Sequence, residues 1–401
     1  MTKNFSSSFK ELTMEEKHLF LMPDYYPVFK CKMGECRRAC CCGWDVSLSL
    51  NDYFRLGAGE CSKELRERID RGVQISLTPT PEVYARIKHD YFGNCPMRLK
   101  DGRCAIHAEL GEEALADVCR LYPRGIRCNG GYECSCSNSC EAVVELLFVR
   151  ENPIEFIKME YASIMPRVTP RQIDFGTQGR EQEIRLWLIK ILQDRRVPLA
   201  QRIMNVGLAL AFVEESLETK DYTTLDVMLQ APIGGTKHHY EIGAEHLLYG
   251  IATMEKLLKL IDERSESVRA YGEKALAYFG DSDEPLERYQ EGVKTFEKGF
   301  DKAEIWLEHL LINHLFFEQF PFQDRPLGLW EEFMGLSCVY SLLRFLCIGC
   351  AGELTSKDKL IDLVSAVFRF VDHSDFDMYS SSVLKKLKCD TPQKIFDLIL
   401  L

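Results

Sequence analysis

The sequence predicts a mainly α-helical protein, with an N-terminal module rich in cysteines and loops followed by an all-helical domain. Thirteen of the 17 cysteines lie between Cys31 and Cys140, apolar residues recur at helical spacing from Glu181 onward, and alternating strand patterns are scarce. These observations divide the chain into a lead-in (1–30), a cysteine-cluster domain (31–150), a linker (151–180) and a helical domain (181–401).

The density of thiols in the module requires a chemical explanation. Cysteine can be an ordinary small core residue, but an adjacent triple such as Cys40-Cys41-Cys42 is unusual in a plain core. The first 20 residues are polar and charged, and no stretch reaches the ~18–20 apolar residues of a spanning helix. We therefore expect a soluble, cytoplasmic protein without a membrane segment. Clustered cysteines in that compartment favour a metal or iron–sulfur site over disulfides or unliganded thiols.

Charge narrows the range of partners. The net charge is −11, which argues against nucleic acid as the main ligand. An acidic surface would suit a lysine-bearing protein substrate, but many cytosolic proteins are equally acidic.

Apolar periodicity predicts the helices in chain order. Charged residues separate the apolar positions in most of them, which is typical of helices that bury one face. The predicted helices cover residues 50–56, 112–121, 142–150, 181–192, 200–218, 244–261, 287–320 (one or two helices), 330–351, 356–371 and 376–387.

Several common catalytic motifs are missing from the sequence. There is no glycine-rich dinucleotide or phosphate loop and no Gly-x-Ser-x-Gly elbow. The Cys-x3-Cys-x2-Cys triplet of radical enzymes is also absent, because Gly43 stands where its third cysteine would be. Spacing alone leaves both a zinc site and an iron–sulfur cluster open.

Two groups of motifs resemble the flagellin lysine N-methylase family. The N-terminal group runs from Tyr26-Pro-Val-Phe-Lys-Cys31 through Gly43-Trp44, and continues with Asn94-Cys95-Pro96 and Cys119-Arg-Leu-Tyr-Pro-Arg124. The C-terminal group consists of Asn313-His314-Leu315, Phe320-Pro-Phe322 and Asp372-His373-Ser374. The middle of the cysteine module also resembles a broader zinc- or iron-chelating cysteine cluster.

The resemblance implies methyl transfer from S-adenosylmethionine to lysine Nζ of flagellin, with an iron–sulfur cluster, 4Fe-4S by expectation, or zinc as the alternative. The cysteines that match the family pattern, and are therefore the predicted metal ligands, are Cys31, Cys36, Cys40, Cys41, Cys95, Cys104, Cys119 and Cys140. The sequence assigns neither catalytic residues nor a pocket for the methyl donor. Four residues near the cysteine motifs could orient the amine, although packing and capping explain them more simply: Tyr25, Tyr26, Tyr122 and Asp45. A non-enzymatic metal-binding interaction module and a thiol redox sensor remain open as alternatives.

Overall fold

The computed structural model describes residues 16–37, 40, 46–91, 93–128, 130–163, 165, 171–234, 237–240, 242–259, 266–280 and 284–401. The chain forms two compact units. The smaller unit contains Val28–Gly125 and Cys140–Ala142, and the larger unit contains Met1–Pro27, Ile126–Ser139 and Val143–Leu401.

The described residues form sixteen α-helices and seven strands. The helices are α1 (Leu50–Ala58), α2 (Lys63–Gly72), α3 (Ala105–Leu110), α4 (Asp117–Leu121), α5 (Glu141–Phe148), α6 (Glu181–Leu192), α7 (Leu199–Thr219), α8 (Tyr222–Gln230), α9 (Ala244–Leu258), α10 (Glu266–Gly280), α11 (Pro285–Gly299), α12 (Ala303–Phe317), α13 (Leu329–Gly349), α14 (Lys357–Val371), α15 (Phe376–Lys386) and α16 (Pro392–Ile399). The strands are β1 (Glu16–Pro23), β2 (Val46–Leu48), β3 (Val73–Ile75), β4 (Ala85–Ile87), β5 (Arg124–Arg127), β6 (Glu133–Cys136) and β7 (Phe156–Ser163).

The smaller unit has a short antiparallel sheet in the order β2-β4-β3. Alternation along these strands buries Val46 and Leu48 on one face, and these side chains join a core that includes Leu56 of α1. Helix α1 begins at Ser49, whose Oγ accepts the Asp52 N–H at 3.1 Å while the Asp52 carboxylate accepts the Ser49 N–H at 3.0 Å. This capping box fixes the point where the strand becomes a helix.

The larger unit begins with a four-stranded sheet in the order β5-β6-β1-β7. Strand β1 pairs antiparallel with all eight residues of β7, from Glu16 opposite Ser163 to Pro23 opposite Phe156. It pairs parallel with β6 through Leu21 and Glu133. Strand β6 leads into residues 137–139, which recur in the site described below.

Helix α13 is the central helix of the helical part. It contacts α7, α9, α10, α11, α14, α15 and α16. Gly207 of α7 meets the ring of Phe333, and Gly335 lies against the Asp377 side chain of α15. By length and composition alone α13 could cross a membrane, but 94% of its apolar stretch is buried inside the structure. Its apolarity is thus explained by its place in the core.

The predicted mainly α fold is confirmed, and the part after residue 180 contains no strand among its described residues. Sequence reasoning did not find α2, α3, α8, α10 or α16. It also anticipated few strands, although the described residues before 164 contain seven. The segment predicted as a linker, 151–180, contains β7, and the predicted lead-in contains β1. Both strands mix charged and apolar residues too irregularly to show a period of two.

Replacing Gly207 by alanine is expected to lower the free energy of unfolding by about 1–3 kcal/mol, because a core without spare volume resists an added methyl group. The new Cβ would lie 2.4 Å from Cζ of the fully buried Phe333. Gly299→Ala adds the same methyl group at the end of α11, where no other part of the described structure lies within 4 Å of the new Cβ, and serves as the control. Urea unfolding of both variants measures the effect. Equal midpoints would contradict tight packing of α7 on α13.

Candidate functional site

The predicted thiol ligands occupy surroundings that differ in exposure. Cys31 and Cys40 are exposed, Cys95 is buried, and Cys36, Cys104, Cys119 and Cys140 are half-buried. Cys41 lies outside the described residues. All seven described ligand candidates belong to the smaller unit.

A close backbone contact brings the first cysteine run to the loop before Cys104. A Cβ built on Gly102 would lie 2.4 Å from the carbonyl oxygen of Gly34, and one built on Gly34 would lie 2.7 Å from the backbone nitrogen of Arg103. Both glycines have positive φ, +91° and +114°, a region that L side chains rarely adopt. Glycine at both positions therefore lets the turn between Cys31 and Cys36 contact the loop that ends at Cys104.

Glu141 connects the same turn to Cys140. Its Oε1 accepts a hydrogen bond from Lys32 Nζ at 3.0 Å and another from the Arg37 backbone N–H at 3.2 Å. Burial, together with the charges of Glu141 and Cys31, raises the pKa of the Cys36 thiol to about 11. Cys31, Cys36 and the start of α5 therefore lie within electrostatic range of one another.

Cys95, Cys104 and Cys119 border the apolar core of the smaller unit instead. Thiolates suit zinc or an iron–sulfur cluster by their chemistry. Within the described ranges, however, no group of three or more His, Cys, Asp or Glu side chains has the arrangement of a metal site. The structure brings the predicted segments together without forming a closed ligand set from the residues it describes.

A second group of polar residues lies wholly within the larger unit, around the C-terminal half of α12. Asn313 donates from Nδ2 to the Cys136 carbonyl at 2.8 Å and to Asn138 Oδ1 at 2.7 Å. Its own Oδ1 accepts a hydrogen bond from the buried Tyr25 hydroxyl. Asn138 in turn donates to the carbonyl of Leu310 at 2.8 Å. These bonds hold the segment after β6 against α12. Asp45, also considered for orienting the amine, lies outside the described residues.

Asp372, directly after α14, joins this segment to His314. Its Oδ2 accepts a hydrogen bond from Ser137 Oγ at 2.5 Å, and its Oδ1 lies 2.9 Å from His314 Nδ1, which donates to it. Ser137 Oγ is 2.6 Å from Ser139 Oγ, which lies 3.0 Å from His373 Nε2. The Asn313-His314 and Asp372-His373 motifs, 58 residues apart in sequence, therefore meet in one network.

Two ionisable groups of this network, His314 and Glu318, have pKa values well above their ordinary ones. Burial alone would lower the pKa of His314, but the hydrogen bond and charge of Asp372, aided by Asp377 and Glu318, raise it to about 9. Burial raises the pKa of Glu318 to about 7, and Asp372 adds to this effect. Near pH 7 His314 is therefore cationic, whereas Glu318 can exchange a proton.

A third set of charges adjoins this network. Arg325 donates to Glu332 at 2.9 Å and to Asp377 Oδ2 at 2.5 Å. Asp377 is only 7% exposed, and its Oδ1 has no hydrogen-bond partner among the described residues. Sequence reasoning missed Ser137, Glu318 and Asp377. A signal for Glu318 was present, because it follows His314 by four residues and so shares its helical face.

Comparison with known proteins identifies a family for this chain. A model of the FliB lysine N-methylase C-terminal domain matches residues 185–398. Lysine-N-methylases of Salmonella typhimurium (strain LT2) and Salmonella choleraesuis are each 31% identical over 117 residues. Flagellar biosynthetic protein FliU of Salmonella muenchen is 30% identical over 117 residues.

These alignments cover 29% of this chain, 27% of each methylase and 64% of FliU, so they span about a quarter of the methylases' length. No solved structure matches. The domain match includes α12, α13 and α14 and with them His314, Glu318 and Asp372. Since this match covers more than half of the 401 residues and agrees with the resemblance of the sequence motifs, the chain belongs to the FliB lysine N-methylase family.

Proposed function

We propose that this protein is a protein-lysine N-methyltransferase that transfers the methyl group of S-adenosylmethionine to lysine Nζ of flagellin. The domain match over residues 185–398 is the observation that carries the proposal, and the names of the matched lysine-N-methylases support it. The flagellar name of FliU supports flagellin as the substrate. We also propose a cytoplasmic location, since the methyl donor is a cytosolic metabolite.

Methyl transfer to lysine makes two demands on a protein site. The amine must be neutral, yet free lysine has a pKa near ~10.4 and is protonated at neutral pH. It must also be held in line with the methyl group, because positioning supplies a large part of the acceleration. The buried network around His314 and Asp372 suits the first demand, since it contains an ionisable carboxyl group whose pKa lies near neutrality.

We further propose that the smaller unit holds an iron–sulfur cluster, 4Fe-4S by preference, with zinc as the alternative. Its ligands would come from Cys31, Cys36, Cys40, Cys41, Cys95, Cys104, Cys119 and Cys140. Support comes from the contact between Gly34 and Gly102 and from Glu141, which together bring three cysteine-bearing segments to one region. When bound, such a cluster would either anchor the methyl donor through an open iron site or order the loops of this unit.

The activity can be tested on protein purified without oxygen. Incubation with flagellin and S-adenosylmethionine is expected to add methyl groups to lysine, detected by mass spectrometry of flagellin peptides. Omission of the methyl donor should abolish the product. Metal-loaded protein that methylates no flagellin lysine would overturn the proposal and favour a non-enzymatic metal-binding module.

The ligand set predicts that Cys36→Ser loses most of its bound metal, because serine is a poor replacement for a thiolate ligand. The control is Cys61→Ser, which changes a half-buried thiol of the same unit outside the family pattern. Iron, sulfide and zinc analysis of the anaerobic proteins measures the outcome. Matched iron and sulfide in the unchanged protein would support a cluster, whereas one zinc without sulfide would replace it with a zinc site. Full metal content in Cys36→Ser would remove Cys36 from the ligands.

The Gly34–Gly102 contact gives a test that leaves every thiol in place. Gly102→Ala is expected to reduce metal content, because its Cβ would lie 2.4 Å from the Gly34 carbonyl oxygen. The matched control is Gly111→Ala. Gly111 has a similar φ of +84°, but a Cβ built on it would meet nothing within 4 Å among the described residues. Both variants carry the cost of an L residue at positive φ, roughly 1–2 kcal/mol, so their difference isolates the contact. Equal metal content in the two variants would show that the contact does not assemble the site.

A further inference from the structure

We propose that Glu318 and the charged side chains around it form a binding site for the primary ammonium group of a lysine, and that Glu318 accepts the proton this group loses before methyl transfer. The inference rests on the proposed methyltransferase function and extends it to the residue that takes the proton. It draws on the position of Glu318, the charges that face it and an unpartnered oxygen of Asp377.

The position of Glu318 distinguishes it from the other polar residues of α12. Its backbone N–H still donates to the His314 carbonyl at 2.9 Å, so its side chain continues the helical face of His314. No hydrogen bond of its carboxylate occurs within the described part of the chain. The residue is half-buried, so part of it remains open to solvent and to a long flexible side chain of another protein.

The charges that act on Glu318 come from several elements of the larger unit. Asp372, Asp377, His314 and Arg127 act on its titration. Arg325 and Glu332 join the set through their ion pair beside Asp377. Arg369, which donates to the Ser139 carbonyl at 3.3 Å, adds a positive charge beside His373. Asp372 and Asp377 repel the ionised carboxylate of Glu318. A bound cation or a proton on Glu318 relieves this repulsion, and a primary ammonium can supply either.

Asp377 provides an independent sign that a donor belongs here. Its Oδ2 is held by Arg325, while its buried Oδ1 lacks a partner among the described residues. Buried carboxylate oxygens are nearly always hydrogen-bonded, so this oxygen is suited to accept from an N–H or O–H donor. Its charge raises the pKa of both His314 and Glu318, which places it near them. An ammonium group has three N–H donors and can serve more than one carboxylate at once.

Glu318 is the group in this network that is suited to take the proton. The pKa of His314 is about 9, so it already carries a proton at neutral pH and acts as a fixed cation. Both carboxylate oxygens of Asp372 already accept hydrogen bonds, one from Ser137 and one from His314. These bonds fix the carboxylate in place, so it is not available to take the proton. The pKa of Glu318, raised to about 7 chiefly by burial, allows it both to accept and to release a proton.

The proposed step balances as follows. An N–H bond of the bound ammonium breaks, its electron pair stays on nitrogen, and an O–H bond forms at Glu318. The neutral amine then attacks the methyl carbon of the sulfonium donor of the proposed function. The N–C bond forms as the S–C bond breaks, and sulfur keeps that electron pair. Glu318 afterwards releases its proton to solvent.

The kinetic test uses Glu318→Gln in the full, metal-loaded protein. Methylation by the unchanged protein is expected to rise with pH through an apparent pKa near 7. In the variant the rise in rate with pH should disappear. Its rate should also fall by ~10²–10⁴-fold, the usual contribution of a general base. Glu297→Gln on the exposed surface of α11 is the matched control. Glu318→Asp, which retains a carboxylate, should recover part of the rate together with the pH-dependent limb.

Binding of n-butylammonium chloride provides a readout that does not require activity. By NMR at pH 8, Glu318→Gln should bind this cation about tenfold more weakly, since a hydrogen bond to a charged group is lost. n-Butanol, the uncharged analogue, should bind both proteins equally. A folded Glu318→Gln protein with unchanged cation affinity or an unchanged rate and pH profile would overturn the inference. If the unchanged protein binds the cation through Glu318 but methylates nothing, the site stands and the proposed function fails.

Discussion

The larger unit depends on the nearly complete burial of α12. Thirteen of its residues are buried, including Glu308, His309, Asn313 and His314. Buried polar groups without partners are costly, so each of these side chains constrains whatever lies opposite it. Glu308, fully buried, pairs with Arg195 and Arg202, and His309 donates from Nδ1 to the Leu147 carbonyl at 3.0 Å. These bonds fix α5, the turn between α6 and α7, and α7 itself around one helix.

The same constraint assembles the candidate site. The buried amide of Asn313 forms hydrogen bonds with Tyr25 and with the segment after β6. The buried imidazole of His314 donates to Asp372, which follows α14. Stability and site geometry therefore have one cause. At the C-terminal end of α12 the burial becomes partial, and the carboxylate of Glu318 lies there without a hydrogen bond to the described residues. A carboxyl group can remain in such a place because it can carry a proton when no cation is present.

The sequence predicted most of the helices because their apolar periodicity is local. It missed α10, where charged and apolar residues alternate without a clear stripe, and α16, which has only eight residues. The sequence did not predict β5 and β6, because arginine, glutamate and cysteine stand in them in place of the usual β-branched residues. The meeting of His314 with Asp372 could not be derived, since a contact between distant helices depends on tertiary packing. Family resemblance marked both motifs without indicating that they touch.

The pairing of His314 with Asp372 also explains why a glutamate, and not the histidine, is suited to accept a proton. A neutral imidazole would be the ordinary base near pH 7, but the adjacent carboxylate keeps His314 protonated up to a pKa of about 9. The fixed imidazolium in turn limits the rise in the pKa of Glu318, which burial and two aspartates would otherwise drive higher. Removing the positive charge at His314 would therefore raise the pKa of Glu318 and move its ionisation above neutral pH. The histidine tunes the carboxyl group, and the carboxyl group exchanges the proton.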